Sequence, residues 1–124
     1  MKRRILIVED EKNIVDIIRF NLIKEGFDTL EAYDGLAGVE MAEREKPDLI
    51  LLDLMLPKYG GFEILRELQS GDTSDIPIVI ITGRCNDRST SEMIKREPNI
   101  KDYLEKPLKP QVLAAVLHTH LKRR

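Results

Sequence analysis

The sequence predicts an α/β fold, a doubly wound sheet of five parallel strands, and three observations predict it. Short apolar runs rich in β-branched residues alternate five times with stretches of helical period. One run, residues 48–53 (DLILLD), is almost wholly apolar, as a parallel strand covered by helices on both faces must be. The strands also end in polar or charged residues, and an open α/β sheet binds its ligands beyond the carboxyl ends of its strands.

Each element has a local reason. Arg4 to Glu9 (RILIVE) is the first strand, and Glu11 to Glu25 repeats apolar residues at helical spacing until Gly26 stops it. Asp28 to Ala32 is a second, more polar strand; Asp34 can cap a helix to about Glu45, and Pro47 closes that turn. Asp48 to Asp53 belongs at the centre of the sheet. A loop over Pro57 to Gly61 leads to a helix from Phe62 to about Gln69, then to the strand Pro77 to Thr82 (PIVIIT). Residues 84–91 (RCNDRSTS) are polar and weakly helical, so a weak, mobile fourth helix is expected from about Asp87 to Arg96. A short strand at Lys101 to Leu104 precedes a last helix from Pro110, a favoured first-turn residue, to Lys122. Right-handed crossovers join the five strand and helix units.

The composition bounds the function. The 124 residues, 42% hydrophobic and 34% charged, suit one domain over 1–124. Twenty Lys and Arg against 22 Asp and Glu leave a net charge of -2, so no basic field argues for direct nucleic acid binding. The basic clusters at 2–4 and 122–124 read as solubilising charge. Cys85 has no partner for an intramolecular disulfide, and no apolar stretch has signal-peptide or membrane-spanning length. A cytoplasmic location without a membrane is the expectation. His118 and His120, two residues apart on a helix, point to different sides and are expected at the surface.

The strand ends carry the chemistry. The first strand ends in Glu9 and Asp10, the third in Asp53, the fourth in Thr82, and the fifth leads into Lys106 and Pro107. Three carboxylates on one rim repel one another unless a cation neutralises them. Oxygen-only ligands without His or Cys favour Mg²⁺ that retains several waters. A carboxylate so placed can attack a phosphoryl group, the Lys106 ammonium can pair with a phosphoryl oxygen, and the Thr82 hydroxyl can hydrogen-bond another. Taken singly, a strand-end Asp or Thr is more often a cap or turn residue; the convergence is what argues for a site.

These residues, as "LIVEDE", "PDLILLDLMLP", "PIVIITGR" and "DYLEKP", resemble over the whole chain the receiver domain of two-component response regulators. The resemblance implies the CheY-like (βα)5 flavodoxin-like receiver fold, strand order 2-1-3-4-5, and a phosphorylation-activated switch. It implies Asp53 as phosphoacceptor, with Mg²⁺ held by Glu9, Asp10, Asp53 and the Met55 backbone carbonyl. It implies that Thr82 and Lys106 bind the phosphoryl group, that the Lys106-Pro107 peptide is cis, and that Tyr103 changes rotamer when Thr82 moves. The donor would be a phosphohistidine on a sensor histidine kinase or histidine phosphotransfer protein. The output would be a changed surface on the fourth helix, fifth strand and last helix for an unidentified downstream effector. Such a chain is not an enzyme for foreign substrates; it forms and hydrolyses only its own acyl phosphate.

The chain departs from the family before the fifth strand, where Asn99 and Ile100 stand in place of the common Gly-Ala pair. Asn adopts left-handed backbone more readily than most residues, which would make Asn99 a tolerable substitute. Val116 stands where receivers of the winged-helix class carry a basic residue for dimer salt bridges. On the first helix, Val15, Ile18 and Leu22 form the core row, while Ile14 and Ile17 widen the apolar surface near Asp10. That strip suits docking of a helical phosphodonor, or equally a wide buried face. Two other readings remain at this stage. A haloacid-dehalogenase type phosphohydrolase also uses a strand-end Asp, but usually carries a second Asp two residues on, where this chain has Met55. A flavodoxin-like FMN binder would need a phosphate-cradling loop, and "EDEKN" would repel the phosphate.

Overall fold

The computed structural model describes residues 2–56, 61–83, 92 and 96–121. Along them run β1 (Arg4–Val8), α1 (Lys12–Lys24), β2 (Asp28–Ala32), α2 (Gly35–Glu45), β3 (Leu49–Asp53) and α3 (Gly61–Leu68). A 3-10 turn (Gly71–Thr73), β4 (Ile78–Thr82), β5 (Ile100–Glu105) and α4 (Pro110–His120) follow. The five strands are all parallel, in the order β2-β1-β3-β4-β5, so the sheet is the one expected. Four helices lie among the described residues. The loop expected over 57–61 and the weak helix expected over 87–96 fall outside them, apart from Gly61, Glu92 and Arg96.

The pleat sorts the core onto two faces. Leu6 and Val8 of β1, Ile50 and Leu52 of β3, and Ile78 and Ile80 of β4 pack under α2 and α3 with Ala42, Ile64, Leu65 and Leu68. Their neighbours Ile5, Ile7, Leu49, Leu51, Val79 and Ile81 pack on the other face under Val15, Ile18 and Leu22 of α1 and Leu113 and Leu117 of α4. β3 is buried at every position, which accounts for its unbroken apolar run. Each such Leu or Ile stabilises the fold by about 1.5–3 kcal/mol, enough to fix strand register.

Local chemistry ends the helices. Gly26 (φ 95) closes α1, with its N–H on the Ile23 carbonyl at 3.0 Å and the Phe27 N–H on the Leu22 carbonyl at 3.0 Å. A non-glycine residue there would be strained. At the start of α2, Asp34 Oδ1 accepts the Ala37 N–H at 2.8 Å, the cap that the sequence indicated. Gly38 lets α2 approach β1: a Cβ there would stand 2.9 Å from Val8 Cγ1. No helix among the described residues is long and apolar enough to cross a membrane.

The segment entering β5 differs from the expectation. The only non-glycine residue with positive φ among those described is Lys46, so Asn99 does not use left-handed backbone. Its side chain is buried instead and donates through Nδ2 to the Ile76 carbonyl at 3.1 Å, while the Asn99 backbone carbonyl accepts the Ile78 N–H at 2.7 Å. The β4–β5 register then shifts: Ile78 pairs with Ile100 but Val79 pairs with Asp102, leaving Lys101 as the extra residue of a bulge. The bulge absorbs one residue of the connection and sets Thr82 opposite Glu105, one position before Lys106.

Candidate functional site

Three strand ends meet because adjacent parallel strands finish level. Val8 pairs with Leu52, and Asp53 with Ile81. Glu9 and Asp10 therefore leave β1 beside Asp53, and ligand oxygens of these three carboxylates lie within 4.8 Å of one another. Glu9 is fully buried, Asp53 is 2% exposed, and Asp10 faces solvent.

Backbone donors and one cation hold the group. The Met55 N–H donates to Asp53 Oδ1 at 3.0 Å and the Glu11 N–H to Glu9 Oε2 at 3.2 Å. Lys106 Nζ reaches Asp53 Oδ2 at 3.3 Å and Glu9 Oε1 at 3.4 Å. Its backbone N–H binds the Thr82 carbonyl at 2.9 Å, and the Lys106–Pro107 peptide is cis.

The charges do not balance. Burial first, and the neighbouring Asp53 carboxylate second, push Glu9 up to about 7. Burial of the Lys106 ammonium works against its charge, but Asp53 and Glu9 outweigh it and hold Lys106 above its ordinary range. Glu9 Oε1 is buried and, among the described residues, has the 3.4 Å ion pair to Lys106 but no well-formed hydrogen bond. An all-oxygen cluster with a buried acceptor held only by a long ion pair, and with excess negative charge, fits a hard divalent cation, which would take up that oxygen and offset the repulsion.

The remaining residues surround this cluster. Thr82 is buried at the end of β4, whereas the Tyr103 and Met55 side chains are exposed. Ile14 is partly buried against the core and Ile17 is exposed. Both line a cavity of about 410 Å³ with Ile18, Lys106, Pro107 and Leu108, next to the carboxylates. Leu108 is a lining residue that the sequence reading passed over; an apolar residue directly after Lys106-Pro107 was its signal. The two histidines do face different sides of α4: His118 Nε2 lies 3.0 Å from Glu25 and His120 Nε2 3.1 Å from Asp102. Cys85 and Arg84 are outside the described residues.

Comparison with known proteins identifies the arrangement. Residues 5–118 match the model of the response regulator receiver domain. The receiver domain of a sensor histidine kinase from Pseudomonas aeruginosa, solved with a magnesium ion coordinated in its active site cleft, is 27% identical. It superposes with a TM-score of 0.88 over 99% of this chain and 100% of its own. A CheY-like receiver domain protein from Methanospirillum hungatei is 26% identical (TM-score 0.87, 96% of this chain and 93% of that one). A Francisella response regulator receiver domain is 25% identical (TM-score 0.87, 98% of each chain).

Proposed function

The chain belongs to the response regulator receiver domain family, and from that premise we propose that it is a switch thrown by phosphorylation of Asp53. The observation that carries this reading is the setting of Asp53: a nearly buried carboxylate at the end of the central strand, one oxygen 3.3 Å from the Lys106 ammonium and both neighbouring acids within ligand distance.

In the transfer, a carboxylate oxygen of Asp53 attacks the phosphorus of a phosphohistidine on a sensor kinase or phosphotransfer protein. The P–N bond breaks, and the imidazole leaves with the bonding pair and takes up a proton. Glu9, Asp10, Asp53 and the Met55 carbonyl would hold Mg²⁺, which supplies charge neutralisation for the incoming phosphoryl oxygens when bound. The magnesium in the Pseudomonas receiver supports this choice of ion. Lys106 moves from a carboxylate partner to a phosphoryl oxygen, and the Thr82 hydroxyl binds another. Drawing Thr82 inward makes room for the Tyr103 ring, which is exposed before the reaction, and so changes the surface of β5 and α4 for a downstream effector. The donor docks on the cavity lined by Ile14 and Ile17. Water later hydrolyses the acyl phosphate, and no foreign substrate is turned over.

Intact mass spectrometry after incubation with acetyl phosphate and Mg²⁺ tests the assignment. One phosphate adduct is expected on the wild type and none on Asp53→Asn; an adduct on both, or on neither, would overturn it. Replacing Ile14 and Ile17 with Ala should slow transfer from a protein donor while sparing transfer from acetyl phosphate; equal losses would remove the docking role.

A further inference from the structure

The outward face of α1 carries three large apolar side chains, of which Phe20 and Ile23 have no part in the phosphoacceptor site or the cavity beside it. Ile17 is 56% exposed, Phe20 66% and Ile23 49%. Helical spacing puts Asp16, Phe20 and Lys24 on one i, i+4 row, with Ile17 flanking it on one side and Ile23 on the other. The row is symmetric about Phe20 in position and opposite in charge at its two ends.

We infer that this face is a homotypic interface, on which α1 of a second copy of this chain packs antiparallel across a two-fold axis at Phe20. With the two i, i+4 rows running alongside one another, a common crossing of packed helices, Asp16 of each copy stands against Lys24 of the other. The Phe20 rings meet at the axis, Ile17 meets Ile17, and Ile23 meets Ile23. One surface thus supplies both halves of an isologous contact, with an aromatic anchor at its centre and complementary charges at its rim. Asp16 is free to do this because its only ion pair among the described residues is the exposed contact to Lys12 at 3.8 Å, which is worth little. Arg19, beside the row, is turned to Glu31 of β2 at 3.7 Å and so leaves the face uncrowded. The interface shares Ile17 with the proposed donor-docking cavity.

One helix pair buries less than the ~1,200 Å² of a stable complex, so the dimer is weak and reversible. Sedimentation equilibrium from about 10 µM to 1 mM should show a wild-type monomer–dimer equilibrium, the range being set by that small area. Phe20→Glu should weaken it by roughly tenfold or more. Asp16→Lys and Lys24→Asp should each weaken it by about threefold, and the double reversal should restore it to within about twofold because complementarity returns. Circular dichroism on each variant confirms the fold, which exposed positions do not endanger. A wild type that stays monomeric throughout would leave the face to a different protein and overturn the inference. So would a dimer indifferent to Phe20→Glu, or a double reversal no better than the single ones.

Discussion

Glu9 is the residue on which the site's electrostatics turn. In the metal-free protein it keeps its proton up to about pH 7, because burial and the Asp53 carboxylate both oppose its charge. The unfolded chain releases that proton near the ordinary value of 4.5, so between the two the native state binds the extra proton. Stability is therefore full below about 4.5 and falls as pH rises toward 7, the reverse of the usual carboxylate effect. Urea titrations at pH 5 and pH 7.5 without metal should show the loss, and Glu9→Gln, which cannot ionise, should flatten it. A wild-type profile that rises over this range would contradict the geometry. Because ligation needs the ionised carboxylate, Mg²⁺ affinity should instead rise with pH across the same window. Lys106 complements this: one ammonium shared at 3.3 and 3.4 Å between Asp53 and Glu9 leaves the cluster negative, and so open to a cation.

The helices and strands convert chain position into that geometry, and Gly38 offers a test of how tightly. In an ordinary helix, Gly→Ala is stabilising by roughly 0.5–1 kcal/mol. Here the added methyl would lie 2.9 and 3.0 Å from the two Val8 methyls, directly before Glu9, and overpacking of that kind costs about 1–3 kcal/mol. The clash should win, so Gly38→Ala lowers the urea midpoint; a raised midpoint would mean that α2 can retreat from β1. Such contacts mark the limit of what the sequence shows. β3 and the convergence of Glu9, Asp10, Asp53 and Lys106 were legible because continuous apolar runs and strand ends are local patterns. The role of Asn99 was not: its side chain is fixed by the Ile76 carbonyl, 23 positions away, and a bulge at Lys101 rather than a left-handed residue takes up the connection. The partners of His118 and His120 escaped for the same reason, since Glu25 and Asp102 come close only after the sheet and helices pack. Backbone donors such as the Met55 N–H leave no mark in a sequence at all.

For the whole molecule, the site is a load carried by the fold. A buried carboxylate oxygen of Glu9 short of hydrogen bonds, and the raised Glu9 itself, are costs that the two apolar faces of the sheet offset, and a bound cation would remove them. Mg²⁺ at 100 times its dissociation constant should stabilise the chain by about 2.7 kcal/mol, read as a higher thermal midpoint. The gain should shrink below pH 7 as the proton competes, and Asp10→Asn should diminish it; an equal gain in that variant would place the ion elsewhere. The same fold directs every strand end to one rim, so that under the proposed switch a single covalent event at Asp53 would reach Thr82 on β4, Tyr103 on β5 and the helix that follows. That chemistry can be read at the atom concerned. Borohydride reduces an acyl phosphate to the alcohol, so reducing the acetyl phosphate-treated protein and sequencing its peptides by mass spectrometry should find homoserine in place of Asp53 and nowhere else. A reduced side chain at another acid, homoserine at Asp10 or 5-hydroxynorvaline at Glu9, with Asp53 intact, would contradict the account.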